Sequence, residues 1–252
     1  MSGNIVLGFL IVFFLFVPIE RIFSLKKSQK IFRKGWFNDL FHFFFNNLLV
    51  KAGLVIVLIP LAIILKPWIN PNFQASIAAL PHYLQFIIAL LVAEIFHYWA
   101  HRLMHEVPKL WHFHAVHHSI EEMDWLASAR LHPVDQVISK AITIMPLYLM
   151  GFSKATFGAF LVFSLFYALF IHSNVKVSMG FLRYIIATPE FHHWHHAADK
   201  EAHDKNFAGF FPFLDMIFGT FHLPKGRLPE KYGVEEAIPH NYLKQMVYPF
   251  QK

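Results

Sequence analysis

The chain has 252 residues, 56% of them apolar and 30 of them Phe, and its mean hydropathy of +0.43 exceeds what a soluble core needs. Its 22 Lys and Arg against 16 Asp and Glu give a net charge of +6, but no basic stripe runs along a soluble domain, so an anionic lipid surface fits this charge better than nucleic acid. With no cysteine, disulfides, thiolate zinc sites, iron–sulfur clusters and a cysteine nucleophile are excluded, and any metal must rest on His, Asp or Glu.

The first apolar run, Ile5 to Ile19, has no basic segment before it and no small-residue cleavage site after it, which predicts a retained anchor. Arg21, Lys26, Lys27, Lys30, Arg33 and Lys34 follow against the single acid Glu20, and the positive-inside rule places them in the cytoplasm. A second span, Leu40 to Leu65, stops at Lys66, Pro67 and Trp68, and a short external loop over 66–80 leads to a third, Tyr83 to Trp99. The apolar stretch from Val137 to Ile171 is too long for one crossing and is interrupted by Pro146 and by Gly151 to Lys154, so it is expected to enter the membrane and return. The organisation predicted is therefore transmembrane helices one to three over 1–100, histidine boxes over 101–136, a membrane hairpin over 137–173 and a cap over 174–252. The fold class is all-α: an integral membrane helical bundle of about four embedded helices, with a cytoplasmic, helical, histidine-rich cap.

Eighteen histidines are many for this composition, with seven between His97 and His118 and five between His192 and His203. His101 and His105 form HxxxH, a spacing that puts two imidazoles on one helical face. His114, His117 and His118 form HxxHH, and His192, His195 and His196 repeat it. His172 stands alone at the end of the hairpin. So many imidazoles beside membrane spans have no ordinary packing rationale, because each would need its own buried hydrogen-bond partner. Their number exceeds one coordination shell, which implies two metal ions. Imidazole suits iron, zinc, copper or nickel alike. His132, between Leu131 and Pro133, is a further candidate ligand, whereas His97 and His203 are less well placed and His112 and His193 point off their clusters. Isolated histidines such as His42, His82, His222 and His240 are expected to be surface or hydrogen-bonding residues. Glu94, seven residues before His101 on the same face, is expected to hold the second ring nitrogen of a ligand.

Six segments fall in one order: YWAHRLMH (98–105), LWHFHAVHHS (110–119), RLHP (130–133), HSN (172–174), TPEFHHWHH (188–196) and DKNFAGFFPFLDMIFGT (204–220). Together they resemble the fatty acid hydroxylase and sterol desaturase superfamily of membrane-bound di-iron enzymes, over roughly half of the chain. The resemblance implies that His101, His105, His114, His117, His118, His172, His192, His195 and His196 are metal-ligand positions, and that His132 matches a histidine of the sterol-modifying branch. It implies two iron ions, with zinc also accepted by such a site, and dioxygen as co-substrate. The expected reaction is hydroxylation or desaturation of a sterol, fatty acyl or related lipid, with electrons from a separate ferredoxin or cytochrome b5 type donor and its reductase. Two departures stand out: Glu94 replaces a usual aspartate, and His193 is an extra histidine inside the last box. The competing classes are a histidine-rich membrane metal transporter, which would set its ligands nearer the bilayer midplane, and a non-catalytic protein that binds metal or lipid.

Overall fold

The computed structural model describes residues 2–252. It is all-helical, with no β-strand among the described residues. In chain order the helices are α1 (Ser2–Ile22), α2 (Trp36–Leu65), α3 (Pro71–Ala78), α4 (His82–Glu106), α5 (Pro108–His118), α6 (Pro133–Met150), α7 (Lys154–His172), α8 (Pro189–His195), α9 (Phe213–Phe218) and α10 (Tyr242–Val247). Four of them, α1, α2, α4 and α7, are long and apolar enough to cross a membrane. Their outer faces carry Phe14, Leu48, Ile56 and Ile63, all exposed, whereas Gln85, Glu94 and His101 of α4 are buried. An apolar outside around a polar interior is what a helical bundle in lipid requires, since lipid cannot satisfy polar groups. The chain is an integral membrane protein.

The stretch 137–173, expected as a membrane hairpin, is divided between two helices, α6 and α7, with the break at Gly151 and not at Pro146, which sits inside α6; of the two, α7 is long and apolar enough to cross a membrane. Gly151 ends α6 at φ +77°, the left-handed conformation that glycine tolerates best, and the Ser153 side chain accepts from Thr156 N to start α7. The loop expected over 66–80 contains the short helix α3, entered through Pro71 with Asn70 as its cap. Buried Gln85 ties these two turns together: its amide donates to the Ala78 and Leu80 carbonyls and accepts from Ser153 N. Helix α4 packs on α5, α6 and α7, and α2 packs on α6, so α4 runs through the centre of the bundle.

The segment between α1 and α2 was legible as a basic surface, but Arg33 is not on it. Arg33 is buried and lies 2.6 Å from both Asp39 and Asp124, while Arg130 pairs with Asp39 from the other side. Glu20 joins this lattice by accepting from Trp125 N and Asn174 N. Residues far apart in sequence are thereby clamped around the ends of α1, α2 and α7.

Candidate metal centre

Four helices deliver histidines to one place. Helix α4 supplies His101 and His105 from its last two turns, α5 supplies His114, His117 and His118, and His172 closes α7. Pro189 at the first position of α8, with Thr188 capping Phe191 N, starts the short helix that carries His192 and His195, and His196 follows as its cap. The nine side chains fall into two groups: His101, His105, His114, His118 and His195 in one, and His117, His172, His192 and His196 in the other. Within each group the ring nitrogens lie within 4.8 Å of one another. Each HxxHH box is divided between the two groups, which the sequence spacing alone did not convey.

In six of the nine rings the outward nitrogen faces an acceptor. Nδ1–H of His101 donates to Phe207 O (2.8 Å), that of His114 to Asp135 Oδ2 (2.7 Å), that of His117 to Arg130 O (2.9 Å), that of His172 to Ala168 O (2.7 Å) and that of His195 to Lys205 O (2.8 Å). Asp204 Oδ1 lies 3.2 Å from His105 Nδ1. A carbonyl can only accept, so in these neutral rings the proton sits on Nδ1 and Nε2 carries a bare lone pair. Yet Nε2 of His101 lies 3.1 Å from Nε2 of His114, and Nε2 of His117 lies 3.1 Å from Nε2 of His172. Two lone pairs facing at this distance repel each other unless a cation lies between them. Two nitrogens bound at about 2.1 Å and a right angle are about 3.0 Å apart, so the separations suit neighbours in one coordination shell. Nε2 of His105, His118 and His195 is likewise buried without a hydrogen-bond partner. The donor set fits a metal in each group.

Electrostatics favour the same state. Burial pushes the imidazoles of His117, His118, His192 and His196 well below their ordinary value, and His195 down to about 3, with neighbouring histidines adding to the effect in each. These rings stay neutral at physiological pH, the form that binds metal.

Two expected site residues lie elsewhere. His132 is in neither group, because it caps α6: its Nδ1 accepts from Val134 N and its Nε2–H donates to Met246 O. Glu94 holds no imidazole. Its Oε1 accepts from Phe210 N and Phe211 N, fixing the segment whose Phe207 carbonyl receives His101. The buried carboxylate that orients a ring is Asp135 instead, an acid in the first turn of α6, a position where acids are common at any helix start. Asp215 also supports this region by accepting from Phe207 N and Ala208 N. His193 points away from both groups, between Tyr232 OH and the His172 and Ser173 carbonyls. His97 packs against the His101 ring without entering either group, and His203 lies outside both. Of the isolated histidines, His42 is buried and hydrogen-bonded to Gln245 and Asn46, and His240 is exposed.

The model of the fatty acid hydroxylase family matches residues 86–220, just over half of the chain and all nine clustered histidines. The chain belongs to this family. The ornithine lipid hydroxylase OlsE of Rhizobium tropici is 30% identical over 240 residues, covering 92% of this chain and 71% of that protein. Human alkylglycerol monooxygenase is 37% identical over 150 residues, 60% of this chain but 33% of that protein, so the present chain corresponds to about a third of it. A putative methylsterol monooxygenase of Dictyostelium discoideum is 28% identical over 221 residues, covering 84% and 78%. No solved structure matches the chain. A fatty acid hydroxylase family member with this histidine site is a membrane oxidoreductase acting on lipid.

Proposed function

We propose that the protein is an oxygen-dependent di-iron hydroxylase or desaturase of a membrane lipid, with its histidine centre at the cytoplasmic face. The observation that carries this is the pair of all-imidazole groups, in each of which two Nε2 atoms lie 3.1 Å apart in rings whose Nδ1 faces an acceptor. His101, His105, His114, His118 and His195 would hold one iron, and His117, His172, His192 and His196 the other. Bound iron supplies dioxygen activation and hydrogen removal from an unactivated C–H bond. In hydroxylation, R–H, O₂, two electrons and two protons give R–OH and water. Desaturation removes two hydrogens from the substrate and reduces O₂ to two waters with the same two electrons.

The chain's own residues set the conditions for this. Asp135 and the Phe207, Arg130, Ala168 and Lys205 carbonyls fix the tautomer and aim of His114, His101, His117, His172 and His195. Burial of the ligands keeps bulk water away from the centre. The electrons would come from a separate ferredoxin or cytochrome b5 type protein, as the family resemblance implies. The basic run after α1 supports the cytoplasmic placement. The names of the relatives, which concern ornithine lipid, alkylglycerol and methylsterol, favour a lipid substrate.

His118→Ala and His195→Ala should abolish oxygen-dependent lipid oxidation in cells expressing them, with membrane insertion intact, and metal analysis should find two ions in the parent protein. His240→Ala, outside both groups, should oxidise lipid like the parent. Undiminished product in the His118 and His195 variants would end the enzyme assignment, and at most one ion per chain in the parent would end the di-metal one.

A further inference from the structure

A cavity of about 580 Å³ is walled by the segments that follow His172 and precede His192, and has no role in the reaction as described. Its charged lining consists of Lys176, Arg183 and Arg227 with the single acid Glu190. Its walls are anchored in the fold. Lys176 N donates to Phe23 O at the end of α1 (2.7 Å), Trp194 Nε1 of α8 donates to Arg227 O (3.3 Å), and Arg183 lies over the Tyr184 ring and donates to its hydroxyl. Glu190 is only partly buried, and among the described residues no cation comes within 4.0 Å of it. Both signs of charge thus line one space without closing on each other.

The cavity's position ties it to the site. Lys176 is four residues beyond His172 and Glu190 two residues before His192, so two of the segments that hold the four-histidine group continue into its walls. Its outer edge is apolar: Phe181 is 72% exposed, and Leu182 and Ile185 beside it are exposed as well. Apolar side chains at the surface among Lys and Arg, just past the end of a membrane span, mark the depth of lipid headgroups.

We infer that this cavity binds the headgroup of a zwitterionic lipid substrate, its anionic group on Lys176, Arg183 and Arg227 and its primary ammonium on Glu190. The inference rests on the lipid-oxidation reading above and names the substrate class for that same site. A headgroup with an anion alone would meet the three cations but also the Glu190 carboxylate. A neutral headgroup would leave all four charges unmatched as lipid covers them. A primary ammonium has N–H donors for Glu190, which a quaternary one lacks. Phosphoethanolamine and amino-acid headgroups share this chemistry, with phosphate or carboxylate as the anion.

The test uses the full-length protein in nanodiscs and measures competitive retention of four lipids with matched acyl chains. These are phosphatidylethanolamine, an acylated amino acid with free carboxylate and amine, phosphatidylglycerol and diacylglycerol. The two ammonium-bearing lipids should be retained roughly ten-fold over the other two, the scale of one charge-assisted hydrogen bond. The Arg183→Gln/Arg227→Gln double variant should lose roughly ten-fold or more for both. Glu190→Gln should bring them level with phosphatidylglycerol while metal content stays that of the parent. The stronger binder of the two identifies the anion as phosphate or carboxylate. Equal retention of all four lipids by the parent, or unchanged selectivity in the double variant, which alters no residue near a ligand in sequence, would overturn the inference. Oxidation of lipid without headgroup preference would sink this inference alone, whereas headgroup preference without any oxidation would sink the reading it rests on.

Discussion

Asp39→Asn removes one negative charge from the buried lattice while keeping the side chain's shape. Asp39 is fully buried and faces both Arg33, at 2.6 Å, and Arg130, so the substitution leaves two guanidinium groups with Asp124, bonded to Arg33, as the one carboxylate still paired with either of them. Breaking a buried ion pair from one side costs about 3–5 kcal/mol, because the partner stays buried and unpaired. At about 2–4 °C per kcal/mol for a chain of this size, the unfolding midpoint should fall by roughly 6–20 °C. A second effect reaches the metal centre. Arg130 offers the carbonyl that receives Nδ1–H of His117, and its guanidinium is aimed by Asp39 and by Ser119 O. Loosening it should weaken metal binding in the four-histidine group by roughly 10- to 100-fold, the usual cost of losing a ligand's outer partner. Thermal unfolding in detergent and competition with a graded series of chelators measure the two effects separately. A midpoint within about 2 °C of the parent, together with unchanged retention of both ions, would refute the lattice as a support of the centre.

Asp135→Asn should weaken metal retention in the five-histidine group by roughly 10- to 100-fold, since the amide replaces the carboxylate that accepts from His114 Nδ1–H at 2.7 Å; chelator competition reads this, and unchanged affinity would show that the contact does not tune the ligand. Burial lowers the His193 imidazole to about 3 from the ordinary 6.5. Below pH 6.5 the unfolded chain therefore takes up a proton that the folded ring refuses until about pH 3, so stability falls as the pH drops through that window. At pH 5 the His193 contribution to this loss is about 2 kcal/mol. His193→Gln should flatten the pH dependence of metal-free unfolding between pH 7 and 5 by that amount, and an unchanged slope would contradict it.

Spans and clustered histidines were legible because both depend on local pattern, apolar length in one case and helical spacing in the other. The order of the boxes also implied that His172 returns to the side of His117, and the structure places the two in one group. What stayed hidden depends on tertiary pairing. Phe207, Arg130 and Lys205 orient ligands through backbone carbonyls, which leave no trace in residue type. His132 read as a ligand because it sits beside other motif residues, although a polar residue directly before a proline at a helix start is also a cap, and that role is the one it has. Arg33 read as one of six cytoplasmic cations, and only the approach of Asp39 and Asp124 turns it into a buried strut.

The division of the HxxHH boxes changes what such a box is for. In α5 the first and last histidines, His114 and His118, belong to the five-histidine group and the middle one, His117, to the other. In the last box the assignment is exchanged: His192 and His196 belong to the four-histidine group and His195 to the five. In both boxes the residues four apart share a group, and the one three along reaches across. A helix places i and i+4 about 40° apart around its axis, while i+3 lies about 60° to the other side of i, so one short helix can face two centres at once. Each box therefore pins both groups together. The stacked rings of His118 and His196, with centroids 4.5 Å apart, lie on the boundary between them. Neither group can shift without moving a helix that also carries ligands of the other, and two ions held this way would keep a fixed separation through turnover.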